Sequence, residues 1–62
     1  MELLATFKHA NCYPVSWAYN GVQHRITYGT QTRVYYHDIE ACHEFGECVR
    51  HALECAGKFS NQ

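Results

Sequence analysis

The hydrophobic pattern of this chain changes its period once, at His37 and Asp38. Before this point apolar residues recur at every second position, which is typical of strands with one buried face. After it they recur every three to four positions, as in an amphipathic helix. No internal repeat or low-complexity segment accompanies the change. The sequence therefore predicts an α+β fold in which a sheet comes first and one helix follows.

Three to four strands are predicted before the change, at about residues 3–9, 14–20, 22–28 and 32–36. Asn20 and Gly21 are a favoured pair for a two-residue type I′ turn, because both central residues of that turn need a positive φ. Such a turn predicts a hairpin in which Trp17 faces His24. The hairpin face expected to be covered carries Val15, Trp17, Tyr19, Val22, His24, Ile26 and Tyr28.

The fourth strand can turn either of two sets of side chains toward the core. One set is Val34 with Tyr36, and the other is Arg33 with Tyr35. Burying the valine side costs less, because a buried charge must be compensated. We therefore expect Arg33 and Tyr35 on the open face of the sheet, beside Arg25.

A helix is predicted at about residues 39–56, with Asp38 as N-cap and Gly57 as the C′ residue. Its apolar stripe contains Ala41, Cys42, Phe45, Val49, Ala52, Leu53 and Ala56, with Ile39 and Gly46 at the margin. The stripe and the apolar sheet face each need a partner. We therefore expect one domain over residues 1–62, a small antiparallel β-meander packed on one face by the single C-terminal helix.

A chain of 62 residues is near the lower limit at which a hydrophobic core alone stabilises a fold. Aromatic residues make up 15% of it, which is more apolar side chain than one helix and one small sheet can cover. We therefore expect a homodimer. The interface candidates are Leu4, Tyr13, Tyr35, Cys48, Cys55 and Phe59.

Membrane attachment is not expected, because no run reaches the roughly 18 apolar residues of a membrane span. The N-terminal segment carries Glu2 and Lys8 within its apolar run, unlike a signal peptide. Four cysteines without a signal peptide predict free thiols in a reducing compartment, and so a cytoplasmic protein.

The segment ECVRHALECAG raises the question of a metal site. Cys48, His51 and Cys55 form one row on the helix, and all are residue types that bind zinc. Cys48 and Cys55 are separated by about 10.5 Å along the axis, too far to bind one ion or to form a disulfide. The helix thus supplies at most two ligands. The others would have to come from a second subunit or from Cys12, His9 or His24. We therefore expect no metal and no cofactor, and a zinc-binding protein is the least favoured of the binding interpretations.

Enzymatic activity is not expected, because the chain has no glycine-rich phosphate loop, no GxSxG and no CxxC. Nucleic-acid binding is an alternative, since Lys8, Arg25, Arg33 and Tyr35 on an open sheet could contact phosphates and bases. In order of elements alone, strands followed by one helix resemble the DNA-binding domains of plant AP2 factors and the arm-binding domains of tyrosine recombinases.

The net charge of −1 argues against that alternative, because affinity for nucleic acid comes largely from phosphate neutralisation. The sequence favours a protein-interaction or regulatory module that associates with itself.

Overall fold

The computed structural model describes residues 2–60, and side chains for residues 2–57. Its strands are β1 (Glu2–Phe7), β2 (Val15–Tyr19), β3 (His24–Tyr28) and β4 (Gln31–Tyr35), followed by the helix α1 (Asp38–Ser60). The strands form one antiparallel sheet in the order β1-β2-β3-β4, and α1 packs on one face of it against β2, β3 and β4. The predicted α+β meander with a C-terminal helix is confirmed.

The core combines large sheet residues with small helix residues. Val15 and Ile26 are buried in the sheet, and the aromatic rings of Phe7, Trp17, Tyr28 and Tyr35 pack around them. The helix residues that are buried are Ala41, Cys48, Ala52 and Ala56. Because these side chains are short, the helix axis can lie close to a sheet that carries bulky rings. Size complementarity therefore decides which side of the helix faces the sheet.

The predicted hairpin exists, but its register is wrong by two residues. Asn20 to Gln23 form a four-residue loop, so that Tyr19 pairs with His24 and Trp17 pairs with Ile26. The Asn20 side-chain oxygen accepts hydrogen bonds from the Val22 and Gln23 amides at 2.9 and 2.7 Å. Asn20 thereby closes the loop as a hydrogen-bond acceptor, with no positive φ of its own.

A shift of two residues leaves each strand residue on its predicted face, because the side-chain period of a strand is two. The covered side therefore carries Val15, Trp17, His24 and Ile26 as expected. Val22 is the exception, since it lies in the loop and its side chain is 67% exposed.

The predicted orientation of β4 is wrong. Arg33 pairs with Ile26 and Tyr35 pairs with His24, so both face α1, while Val34 faces the open side. The turn at Gly29, which has a φ of 63°, sets this parity by pairing Tyr28 with Gln31. Arg33 tolerates the covered side because its guanidinium extends to the edge of the helix, where it pairs with Glu44 at 3.5 Å. Tyr36, also expected to point inward, lies after the strand and is exposed.

The helix is longer than predicted, and a different side of it is buried. It continues through Gly57 to Ser60, so Gly57 is not its C′ residue. Cys42 and Leu53 were expected in the core but are exposed, whereas Cys48, expected at the margin, is buried. The sheet contacts the side of the helix with the smallest residues, which a wheel based on hydrophobicity alone does not distinguish.

Candidate interaction surface

An apolar strip runs along the side of α1 that the sheet leaves free. We call it the helix ridge, and it consists of Ile39, Cys42, Gly46, Val49 and Leu53. The residues are three, four, three and four positions apart, so they lie in one row about 21 Å long. Ile39 is 79% exposed and Leu53 is 49% exposed, while half-buried Val49 joins the ridge to the core. The largest apolar side chains of the ridge therefore meet solvent.

A groove adjoins the N-terminal end of the helix ridge, because α1 covers β2 to β4 and leaves β1 largely uncovered. We call it the β1 groove, and it is lined by Leu4, Trp17 and Tyr36 among others. Trp17 also lines the depression beside Ile39 and Cys42. The ridge and the groove are therefore adjacent, and Trp17 and Asp38 lie at the junction between them.

Trp17 is held in place by contacts with the sheet and with the helix. Its indole N–H donates a hydrogen bond to Nδ1 of the buried His24 at 3.0 Å, and Tyr19 stacks on His24 with ring centroids 4.3 Å apart. Its ring centroid lies 5.8 Å from that of Phe45 on the helix. These contacts restrain the indole, so little of its conformational freedom remains to be lost when a partner binds.

Charged residues line the solvent side of the helix ridge. His43 lies 3.9 Å from Glu47, and Arg50 lies 4.0 Å from Glu54, both pairs being four positions apart and exposed. Such pairs stabilise a helix by only about 0.2–0.5 kcal/mol each. Their arrangement matches an interface in which a polar rim borders an apolar centre.

The open face of the sheet has a different character. Its strand residues are Leu3, Thr6, Ser16, Ala18, Arg25, Thr27, Thr32 and Val34. Within these strands Arg25 is the one charged side chain on that face. Of the four residues considered for nucleic-acid binding, Arg33 and Tyr35 face the helix instead, and Lys8 lies just beyond β1. The structure does not bring these four residues together on one face.

A second cavity, which we call the thiol cavity, lies between the β1–β2 connection and the C-terminal half of α1. Its volume is about 500 Å³, and its lining includes Cys12, Tyr13, Tyr28, His51 and Cys55. The Tyr28 hydroxyl shares a hydrogen bond of 2.8 Å with His51 Nδ1, and Cys55 Sγ lies 3.9 Å from the same nitrogen. Burial raises the pKa of Tyr28, and the charges of nearby cysteine thiolates raise it further.

Cys48 does not line the thiol cavity. It is buried, and its thiol donates a hydrogen bond to Glu44 Oε2 at 3.5 Å. Burial raises the pKa of the Cys48 thiol, and the Glu44 carboxylate raises it further. The thiol therefore stays protonated and is a poor metal ligand. Across the described part of the chain, no group of three or more His, Cys, Asp or Glu side chains is arranged to hold a metal ion.

The interface candidates from the sequence are scattered over the molecule. Leu4 and Tyr13 are exposed, at the β1 groove and the thiol cavity respectively. Tyr35 packs against the core, and Cys55 is partly buried in the wall of the thiol cavity. The side chain of Phe59 lies outside the described residues. The structure does not bring these candidates together on one surface.

Sequence reasoning missed the helix ridge as a surface, because its residues were assigned to the core or to its margin. A signal was present in the heptad-like spacing of Ile39, Cys42, Gly46, Val49 and Leu53. The glycine in the middle of that row was a second signal, since glycine is unfavourable inside a helix.

Comparisons with family models, with curated proteins and with solved structures give no match to this chain. Between residues 2 and 60, no helix is both long enough and apolar enough to cross a lipid bilayer. The indications of a function therefore lie in the surfaces of the molecule itself.

Proposed function

We propose that this protein is a non-enzymatic interaction module that forms a homodimer, with the helix ridge of one copy packed against the ridge of the other. The observation that carries the proposal is the exposure of Ile39 and Leu53 on a helix whose buried residues are small. Fully burying one such side chain contributes about 1.5–3 kcal/mol. A monomer forgoes most of this contribution at Ile39 and about half of it at Leu53, which is 49% exposed.

Gly46 supports a closely packed partner. It lies in the middle of the exposed ridge, and a Cβ built there would meet no atom within 4 Å. Glycine inside a helix costs about 1 kcal/mol relative to alanine, and nothing within the described chain requires it. A second helix crossing at this point does provide a reason, because a missing side chain lets the two axes approach.

The dimensions of the molecule support a second copy. Its accessible surface is 4531 Å², compared with about 4,100 Å² expected for a compact chain of this mass. The excess agrees with its elongated shape of 43 × 18 × 16 Å. A standard interface buries about 800 Å² per partner, roughly a sixth of this surface. The ridge and the β1 groove lie on one side of the molecule, so a twofold axis through the ridge would bury them on both copies.

The charge distribution is compatible with contact between identical copies. The five residues of the helix ridge carry no charge, and two side-chain pairs, His43 with Glu47 and Arg50 with Glu54, border it. We do not propose nucleic acid as the ligand, because Arg33 pairs with Glu44 and Tyr35 packs against the core. The four free thiols support a reducing, cytoplasmic setting as part of the proposal.

Sedimentation velocity at about 1–100 µM protein tests the dimer, in the concentration range of ordinary specific complexes. We expect a dimer for the wild type and a monomer for Leu53→Glu, because the substitution places a charge in the apolar contact. Val22→Glu is the matched control, since Val22 is also apolar and is 67% exposed, compared with 49% for Leu53, but lies in the β2–β3 loop, outside the ridge. Circular dichroism checks that each variant folds. A wild type that is monomeric throughout this range would exclude the proposal.

A further inference from the structure

The four cysteines of the chain have three kinds of surroundings, and two of them share a cavity. Cys42 belongs to the helix ridge, and buried Cys48 is bound to Glu44. Cys12 and Cys55 are both partly exposed, and both line the thiol cavity. They belong to elements far apart in the sequence, since Cys12 lies in the β1–β2 connection and Cys55 lies in α1.

We propose that Cys12 and Cys55 form an oxidative cross-linking site, at which a disulfide joins the β1–β2 connection to α1 across the thiol cavity. This site is independent of the dimer proposed above, because neither thiol belongs to the helix ridge.

Three observations favour this pair. Both thiols line the cavity beside the Tyr28 hydroxyl, and the charge of each thiolate raises the pKa of that group, as does the charge of the buried Cys48, which does not line the cavity. Cys12 packs against the edge of the core, and its thiol donates a hydrogen bond to the carbonyl of His9 at 3.9 Å, so its sulfur is held in the wall of the thiol cavity. Cys12 also lies outside the regular strands, where its N–H bonds only to the carbonyl of His9 in the same connection. That backbone can therefore adjust to disulfide geometry more readily than a strand can.

His51 gives Cys55 a base for the first step. Cys55 Sγ lies 3.9 and 4.0 Å from Nδ1 and Nε2 of His51. In the tautomer whose Nδ1–H donates to the Tyr28 oxygen at 2.8 Å, Nε2 carries no proton and can accept that of Cys55. A thiolate is the nucleophile in disulfide exchange, so a base beside the thiol favours attack. Cys55 is therefore assigned as the attacking cysteine and Cys12 as the resolving one.

The oxidant is a small disulfide such as oxidised glutathione. The Cys55 thiolate attacks one sulfur of glutathione disulfide, forms a mixed disulfide and releases one glutathione thiolate. The Cys12 thiolate then attacks Sγ of Cys55, forms the protein disulfide and releases the second glutathione thiolate. The two protons lost by the protein thiols protonate the two glutathione thiolates. The protein thus loses two electrons and two protons, and glutathione disulfide gains them.

The experiment treats the full-length protein with glutathione disulfide and measures its intact mass without reductant. We expect a product lighter by two hydrogen atoms, with Cys12 and Cys55 linked in the peptide map. Because a disulfide constrains the unfolded chain, we also expect Tm to rise by about 10 °C or more.

Three variants separate this outcome from other thiol chemistry. Cys12→Ser should stop at a glutathione adduct on Cys55, and Cys55→Ser should form no internal link. Cys42→Ser should still form the link, as the matched control. Cys12→Ala replaces the serine variant if circular dichroism shows that the latter does not fold.

A persistent glutathione adduct on wild-type Cys55, or a link that joins two chains or includes Cys42 or Cys48, would overturn the assignment. Self-association is measured separately on the reduced protein. A failed dimer and a failed disulfide are therefore distinguishable.

Discussion

The two apolar sides of α1 have opposite compositions. The side that packs on the sheet presents Ala41, Cys48, Ala52 and Ala56, whereas the side that faces solvent presents Ile39 and Leu53. If hydrophobicity alone determined burial, the isoleucine and the leucine would be inside. The sheet face already carries the rings of Phe7, Trp17, Tyr28 and Tyr35, so the helix residues fully enclosed against it are short, while the larger Phe45 and Val49 pack beside them only partly buried.

This difference separates stability from association within one helix. The small side supplies the fit that holds the monomer together, and the large side is available to a partner. Substitutions on the first side should therefore change the free energy of unfolding. Substitutions on the second should mainly change the dimer dissociation constant.

The largest contrast is expected between two isoleucines. Ile26→Ala should lower the free energy of unfolding by about 2–5 kcal/mol, because Ile26 is 2% exposed at the centre of the core. Ile39→Ala should change it by less than about 0.5 kcal/mol when measured at a concentration where the chain is monomeric. Urea denaturation followed by the fluorescence of Trp17 gives both values. Equal losses at the two positions would contradict the distinction between the sides.

Enlarging a small helix residue should show the same contrast. Ala52→Leu should destabilise the fold by about 1–3 kcal/mol, since Ala52 is fully buried against the sheet and extra methyl groups must displace their neighbours. Cys42→Leu is the matched change on the exposed side, and it should leave the monomer unchanged while tightening the dimer. Denaturation and sedimentation equilibrium measure the two effects. A harmless Ala52→Leu would show that helix–sheet fit does not orient the helix.

Gly46→Ala should act in opposite directions on the monomer and the dimer. It should stabilise the monomer by about 0.5–1 kcal/mol, because alanine is the better helix former and its Cβ meets nothing. The same methyl group should weaken the dimer by separating the helices. Gly57→Ala is the control, since Gly57 is also helical and unobstructed but lies beyond the ridge. An unweakened Gly46→Ala dimer would place the contact elsewhere.

The smallest expected effect is a decrease in the free energy of unfolding in alkaline solution. The pKa of Cys48 is raised by burial and then by Glu44, so the folded state binds this proton more tightly than the unfolded chain does. The stability from this group is fully present below the pKa of an unfolded cysteine, about 8.5, and is lost as pH rises through the folded value. Tyr28, whose pKa is also raised, contributes with the same sign at higher pH.

Denaturation midpoints between about pH 8 and 10 test this loss, the range in which cysteine and tyrosine titrate. Cys48→Ala should flatten the decline, whereas Cys42→Ala, which removes an exposed thiol, should leave it unchanged. An identical slope in the two variants would mean that Cys48 does not cause it.

The sequence was sufficient to predict the strands, the helix and their order. It was not sufficient to predict which sides of β4 and α1 face the core. The hairpin could be predicted from Asn20 and Gly21, and the faces of β2 and β3 survived a register error because that error was an even number of residues. The loop length depended on the Asn20 side chain bonding two amides, an alternative that the favoured turn type obscured. The parity of β4 followed from the turn at Gly29, whose two-residue length was not used.

The orientation of α1 could not be obtained from hydrophobicity. Cys42 and Cys48 are the same residue type, and the more apolar Leu53 is exposed, so the shape of the sheet face decided which of the three is buried. That shape depends on rings contributed by all four strands and is not a local property of the helix sequence. The helix ridge was missed for the same reason, since its residues satisfy the same periodicity as a core stripe.

A dilution series of ¹H–¹⁵N correlation spectra tests the central claim most directly, because each backbone amide reports on its own surroundings. Between about 10 µM and 1 mM, a range that brackets ordinary dimer affinities, amide shifts of Ile39, Cys42, Gly46 and Leu53 should change together along one binding curve. Arg25 and Val34 on the open face should not move. Spectra that are independent of concentration, or changes confined to the open face, would contradict the assignment of the helix ridge as the self-association surface.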